Sequence, residues 1–145
     1  MNDADARGKL EPFGALIGEW KAEITHPAFP GRVNGRVTFE WLDGERFLIQ
    51  RGATDHPDFP DSISVIGAME GETELSMQYF DSRGVHRIYE IAFDGAELTI
   101  ARDAPGFDQR LRAELRDGGS TLTGVWSLNE NDQGFRDDLA FTWRR

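Results

Sequence analysis

Val33-Asn34-Gly35-Arg36-Val37-Thr38-Phe39-Glu40-Trp41-Leu42-Asp43-Gly44 places an apolar or small residue at every second position and then stops at an Asp-Gly pair. In extended backbone successive side chains point to opposite faces, so Val33, Gly35, Val37, Phe39 and Trp41 share one face. Asn34, Arg36, Thr38 and Glu40 share the other. Asp-Gly readily adopts the positive φ of a tight hairpin. The stretch therefore reads as a half-buried strand entering a hairpin.

The rest of the chain repeats this unit in both directions. Ten alternating runs fall near 18–25, 32–42, 45–53, 62–69, 74–80, 85–93, 96–102, 107–116, 120–129 and 135–144, a spacing typical of all-β proteins. Residues 10–17 hint at a short helical turn, entered through Pro12 and broken by Gly18. Residues 1–9 read as a flexible N-terminus and residues 10–145 as one barrel domain.

The connections alternate in character. Asp43-Gly44, Glu70-Gly71-Glu72, Asp94-Gly95 and Asp117-Gly118-Gly119 are short turns after even-numbered strands. After odd-numbered strands come longer loops: His26-Pro27-Ala28-Phe29-Pro30, its near-copy His56-Pro57-Asp58-Phe59-Pro60, residues 81–84, residues 103–106 and residues 129–134. In a meander of hairpins these two sets lie at opposite ends, giving a tight base and an elaborated mouth. A ten-strand meander must close on itself to hide its first and last edges. The expected fold is all-β, a single closed up-and-down antiparallel barrel with a short N-terminal helical turn. A barrel of more than eight strands is too wide for its own side chains to fill, so an interior cavity is expected.

Composition narrows the partners. A chain of 145 residues with 39% hydrophobic residues, ten Phe and four Trp has core material for one domain. It has no cysteine, hence no disulfide framework or thiolate nucleophile. A net charge of −10 argues against nucleic acid and anionic lipid. With no apolar leader and no apolar run near the ~18 residues that span a bilayer, a cytoplasmic protein without membrane association is expected. The partner to expect is a small apolar or amphipathic ligand, and monomer and homodimer stay equally open. No metal and no cofactor are expected.

Leu16-Ile17-Gly18-Glu19-Trp20 places a Gly-x-Trp at the start of the first strand after a helical turn. This resembles the N-terminal signature of the calycins, a superfamily that includes lipocalins, fatty-acid-binding proteins and the haem-binding nitrobindins. The resemblance implies that Trp20 plugs the closed end beneath a basic residue from the end of the last strand, here Arg144 or Arg145. The whole chain also resembles bacterial calycin-like proteins of unknown function. It shares with them a Gly-Glu-Trp, a His-Pro-x-Phe-Pro, an Asp-His-Pro and a Tyr-Phe-Asp-Ser-Arg-Gly-Val stretch.

If the more apolar face of each strand points inward, Phe47, Ile49 and Arg51 face the interior. So do Leu75, Met77 and Tyr79; Val85, Arg87, Tyr89, Ile91 and Phe93; Leu98, Ile100 and Arg102; and Phe107, Gln109, Leu111, Ala113 and Leu115. Strand direction puts Arg51, Tyr79, Arg87, Tyr89, Arg102 and Gln109 towards the mouth, above an apolar base. That arrangement suits an amphipathic or aromatic anion, its tail buried and its acidic group held by guanidinium and phenol. The other open reading pairs these arginines structurally with Asp137 and Asp103. A bulge at Gly35 or Gly67 would turn side chains outward.

Phe29 and Phe59 sit in loops stiffened by proline and read as lids at the rim, beside His26 and His56. These histidines lack a third ligand at metal spacing. The nitrobindin resemblance raises haem as a less favoured reading, because the last strand has no histidine and His86 has outward parity. The alternative function is a small lyase- or isomerase-type enzyme using Tyr79, Tyr89, Arg87 and Asp137. No catalytic residue is assigned.

Overall fold

The computed structural model describes residues 3–145. Helix α1 (Asp3–Leu10) and a 3-10 turn (Glu11–Leu16) precede β1 (Gly18–His26), β2 (Phe29–Trp41), β3 (Leu48–Thr54), β4 (Ser62–Ala68) and β5 (Leu75–Asp81). There follow β6 (His86–Phe93), β7 (Glu97–Arg102), β8 (Phe107–Arg116), β9 (Thr121–Glu130) and β10 (Phe135–Arg144). Every strand pairs with its sequence neighbours, and β1 pairs with β10 from Lys21↔Arg144 to Thr25↔Ala140, which closes the barrel. Closure leaves no exposed strand edge. The expectation of a ten-strand antiparallel barrel holds.

Helix starts earlier than the sequence suggests. Asp3 to Leu10 is helical, and the i, i+4 pair Ala6 and Leu10 is buried; Met1 and Asn2 of the segment read as flexible lie outside the described residues. Leu10, Phe13 and Leu16 seal the base of the barrel, and the Phe13 ring meets Phe93 edge-on at 5.5 Å. Gly18, at φ 121°, turns the chain from this plug into β1.

Trp20 is fully buried there, its Nε1–H donating to the Leu16 carbonyl at 2.9 Å. The basic residue above the indole is Arg145, whose guanidinium carbon lies 4.1 Å from the ring centroid. Arg145 also donates to the carbonyls of Ile17 (2.7 Å), Ala15 (2.5 Å) and Gly119 (3.2 Å), so it ties the terminal strand to the basal plug. Arg144 instead points to Glu23, 3.4 Å away.

Two expectations about side-chain direction need correction. In β3 the inward residues are Leu48, Gln50, Gly52 and Thr54, and Arg51 lies on the outside in an ion pair with Glu40. The rule that the apolar face points inward fails because the outer wall here is itself apolar. Phe47 is 36% exposed, Phe80 40% and Ile88 48%, with Ile49, Ile63 and Val65 between them. Phe47 lies over the outer face of Gly67, where a Cβ would come within 2.4 Å of its ring.

The second correction concerns β10. Register runs straight through Gly35 and Gly67; it shifts between Ile24 and His26, where β1 meets β2, and at a bulge in β10 between Asp137 and Ala140. The extra residue reverses parity. Leu139 and Phe141 therefore line the interior, while Asp137 is exposed and accepts a hydrogen bond from the Ser127 hydroxyl at 3.4 Å.

Candidate functional site

The barrel interior holds a partly open cavity of about 240 Å³. Its floor is Phe13, Leu16, Phe39, Leu98 and Trp143, and its far wall is Ala22, Ile100, Leu111, Trp126, Leu139 and Phe141. The near wall differs. Register places Gln50 beside Ser64, Ser64 beside Tyr79 and Tyr79 beside Arg87, which makes one inward rung of polar side chains across β3, β4, β5 and β6. Gln50, Ser64 and Tyr79 line the cavity, with Ser62 and Thr54 above them. Ser64 is buried, 3% exposed as a whole residue. A cavity wall relaxes the rule of apolar interiors, because its side chains face a space rather than a packed neighbour.

At the mouth end of the rung the Tyr79 hydroxyl donates to Asp81 Oδ2 at 2.7 Å. The Asp81 side chain is fully buried, and it also accepts from the Arg83 guanidinium (2.7 Å) and from the backbone N–H of Arg83 (2.9 Å) and Val85 (3.3 Å). The Arg83 guanidinium foremost, aided by Tyr79 and the two N–H groups, holds the Asp81 carboxyl well below the usual carboxylate range against the opposing effect of burial. Burial first, and the bond to Asp81 next, push the Tyr79 phenol above its ordinary value. Tyr79 is thus held as a neutral phenol whose proton is committed to Asp81.

A carboxyl whose pKa is depressed on folding stabilises the fold above its unfolded-state pKa and loses that contribution as pH falls. Asp81→Asn should therefore destabilise the protein by about 2 kcal/mol at neutral pH, the scale of a charge-assisted hydrogen bond. The gap between wild type and variant should hold down to about pH 5 and shrink in stronger acid. Urea unfolding across that range measures it, and a gap independent of pH into strong acid would contradict this account of Asp81.

Of the other residues singled out from sequence, Arg87, Tyr89, Arg102 and Gln109 neighbour this rung without lining the cavity, and Arg51 lies apart from them. Tyr89 is buried, with its hydroxyl donating to Gln109 Oε1 at 3.1 Å and its ring edge-on to Tyr79 (6.2 Å) and Trp126 (5.7 Å). Arg87 stacks over Phe107, 5.4 Å from the ring centroid. Arg102 pairs in register with Gln109. None of Arg51, Arg87 and Arg102 lines the cavity, so the three-arginine cluster expected from parity is not assembled. Sequence reasoning missed Gln50, Ser62 and Ser64, whose alternation with Ile49, Ile63 and Val65 was the available signal.

Phe29 and Phe59 lie 5.6 Å apart, and His56 contacts both at 5.4 Å. His26 lies 5.6 Å from Phe29. The two loops repeat one device: His26 Nδ1 accepts from the Ala28 N–H at 3.0 Å, and His56 Nδ1 from the Asp58 N–H at 3.1 Å. This leaves the Nε2–H of His26 to donate to Asp138 at 2.8 Å. Their Nδ1 atoms are thereby committed to the turns.

A nitrobindin-like haem site would need an imidazole on the cavity wall. Among the described residues the wall carries none, and His86 stacks on Phe80 outside at 4.4 Å. The residues present do not fit haem. Nor do the described residues include a group of three side chains able to hold a metal ion, and no described helix is long and apolar enough to cross a membrane.

Fold and cavity together define a closed ten-strand barrel with a small, mostly apolar interior. Its fold is similar to that of Rv2717c from M. tuberculosis, with a TM-score of 0.64 and 16% identity over 94% of this chain and 96% of that one. It is also similar to the S-type phycobiliprotein lyase CPES from Guillardia theta, with a TM-score of 0.55 and 11% identity over 98% and 95% of the two chains. At such identities the likeness is one of fold. No family model and no curated protein matches the sequence.

Proposed function

We propose that this calycin-type barrel binds a small, uncharged, largely apolar molecule inside its cavity, with one hydrogen-bonding group turned towards Gln50, Ser64 and Tyr79. The observation that carries this reading is the cavity wall: apolar on its floor and far side, neutral and polar along one rung, with the one charged residue that borders it, Arg36, exposed and ion-paired with Glu19 at 2.8 Å. Size sets the class. An engineered cavity of about 150 Å³ holds benzene, so 240 Å³ suits one or two rings and is short for a long acyl chain. Burial of the apolar body supplies affinity, and the rung fixes orientation.

A second reading keeps the aromatic anion, because Arg87 continues the rung beyond Tyr79. Against it, Arg51 is outside the barrel, and Asp81 brings a carboxylate to the mouth end of the same rung. The lyase-type alternative loses its carboxyl group, since Asp137 is on the outer surface.

Calorimetric titration with one- and two-ring phenols, alcohols and their matched carboxylic acids separates these readings. The neutral compounds are expected to bind at least about tenfold more tightly than the acids, a difference of about 1.4 kcal/mol. Ser64→Val should weaken phenol binding by about fivefold, the scale of one neutral hydrogen bond. Tighter binding of acids, lost in Arg87→Met, would replace the neutral reading with the anionic one.

A further inference from the structure

The apolar outer wall of the barrel is one continuous patch, and strand register fixes its layout. Across β3, β4, β5 and β6 one outward rung runs Arg51, Ile63, Phe80 and His86, and the next runs Ile49, Val65, Gln78 and Ile88. Phe47 adds a third level, its ring lying over Gly67, which pairs with Ser76. With strands about 4.8 Å apart and outward residues about 6.8 Å apart along each strand, the patch and its side chains cover about 400 Å². Exposed apolar patches of this size are often functional.

The patch is flat and its rings are held in place. Gly67 lets Phe47 lie against the sheet, because a Cβ there would come within 2.4 Å of the ring. Phe80 stacks on His86, with centroids 4.4 Å apart and planes 5° apart. Neither rung contains a carboxylate, and Arg51 at their edge is paired with Glu40. On a chain of net charge −10, two copies can meet on this face without setting carboxylate against carboxylate.

Gln78, between Val65 and Ile88, points to the occupant. A side-chain amide carries both donor and acceptor, so it is satisfied by a second copy of itself across a two-fold axis. An axis running along the strands between β4 and β5 exchanges β4 with β5 and β3 with β6. It sets the two Gln78 amides side by side, Ile63 against Phe80 of the partner subunit and Ile49 against Ile88 of the partner subunit. Phe47 then faces Ser76 of the partner subunit, where Ser76, Glu90 and Ala101 border an open groove.

We propose that the outer face of β3 to β6 is the interface of a two-fold symmetric homodimer, with the Gln78 amides hydrogen-bonded across its axis. A stable interface buries about 800 Å² on each partner. The patch supplies the apolar centre, about half of that area, and the rest is the polar rim that such interfaces carry. The axis leaves the strands of the two copies nearly aligned, as in sheets packed face to face. Burial between copies also gives the physical reason for the apolar outside of β3.

Sedimentation equilibrium of the full chain tests this. At about 100 μM the mass should be that of two chains, with a Kd on the order of micromolar. Ile88→Glu should weaken association by about a hundredfold or more, because it buries a charge against Ile49 of the partner subunit. Val125→Glu should leave association unchanged, since Val125 is exposed on β9, opposite β4 in the ten-strand order. Gln78→Glu and Gln78→Lys should each weaken self-association by about tenfold or more through like charges at the axis, and their equal mixture should regain the dimer mass.

That mixture reports contact between two copies at residue 78, and it serves if Ile88→Glu folds poorly by circular dichroism. A wild-type monomer at about 100 μM would overturn the proposal. So would a dimer insensitive to Ile88→Glu, or a mixture of the two Gln78 variants that stays monomeric. A monomer that holds a different macromolecule, released by Ile88→Glu, would overturn the homodimer and assign the face to that partner.

Discussion

Trp20→Ala should lower the unfolding free energy by about 3–5 kcal/mol, the range for truncating a buried Trp, and the melting temperature by about 10 °C. The indole is fully buried at the base of the barrel, tilted against Trp143 at 6.3 Å and covered by Arg145. Removing it opens a void beneath the plug formed by Phe13 and Leu16, and it leaves the Leu16 carbonyl without its donor. It also strips the Arg145 guanidinium of its aromatic floor, although the bonds to the Ile17 and Ala15 carbonyls remain available. With a domain stability of about 5–15 kcal/mol, this one change removes a large share. Trp20→Phe keeps most of the buried surface and should cost less. Arg145→Met should cost about 1–2 kcal/mol, because its contacts are partly solvated. Guanidinium unfolding of the four proteins gives the ranking, and a loss below about 1 kcal/mol for Trp20→Ala would show that the basal plug closes without the indole.

Gly52→Phe should abolish ligand uptake, by about a hundredfold or more, with the fold intact. Gly52 faces inward on β3, paired with Val37 on one side and Ser62 on the other, and it lines the upper cavity. Its backbone is ordinary extended strand. A Cβ placed there meets the Ser62 hydroxyl oxygen at 3.1 Å, a contact that rotation of a serine side chain relieves. The phenyl ring would then occupy the space above Gln50 and Ser64, where the ligand enters. Because Phe has the higher strand propensity, thermal stability should be equal to wild type or higher. Calorimetric titration and a thermal melt on the same sample check both halves. Unchanged affinity in a folded Gly52→Phe protein would place the ligand outside the barrel.

Much of the fold was legible because strand period, turn chemistry and closure are local or additive properties of a chain. The alternation in 33–41 and the Asp-Gly turn after it show in the sequence, and the ends of the ten strands fall within a few residues of those read from it. Trp20 and a terminal arginine were legible through the Gly-x-Trp pattern, down to the choice between Arg144 and Arg145. The candidate site was less so. Parity was right for β5, β6, β7 and β8, where the inward set holds the more apolar residues even though Phe80 and Ile88 lie outside. It was wrong for β3, where Phe47 and Ile49 lie outside, and for Asp137, which a bulge turns over.

The sequence by itself determined the class of fold, the division into a tight base and an elaborated mouth, the placing of Phe29 and Phe59 at one rim and, through the resemblance that Gly-x-Trp carries, the basal Trp20. Each follows from spacing along the chain, from a pattern of a few residues, or from two loops ending at the same side of a meander. Tertiary structure alone decided which face of β3 is inside, and hence that the cavity is lined by Gln50, Ser64 and Tyr79 rather than by three arginines. Hydrophobicity separates inside from outside only where the interior is packed and the exterior is wet. Here one wall faces an interior space and presents polar side chains to it, while the outer surface of the same strands is apolar, so the two faces look reversed until their neighbours are known.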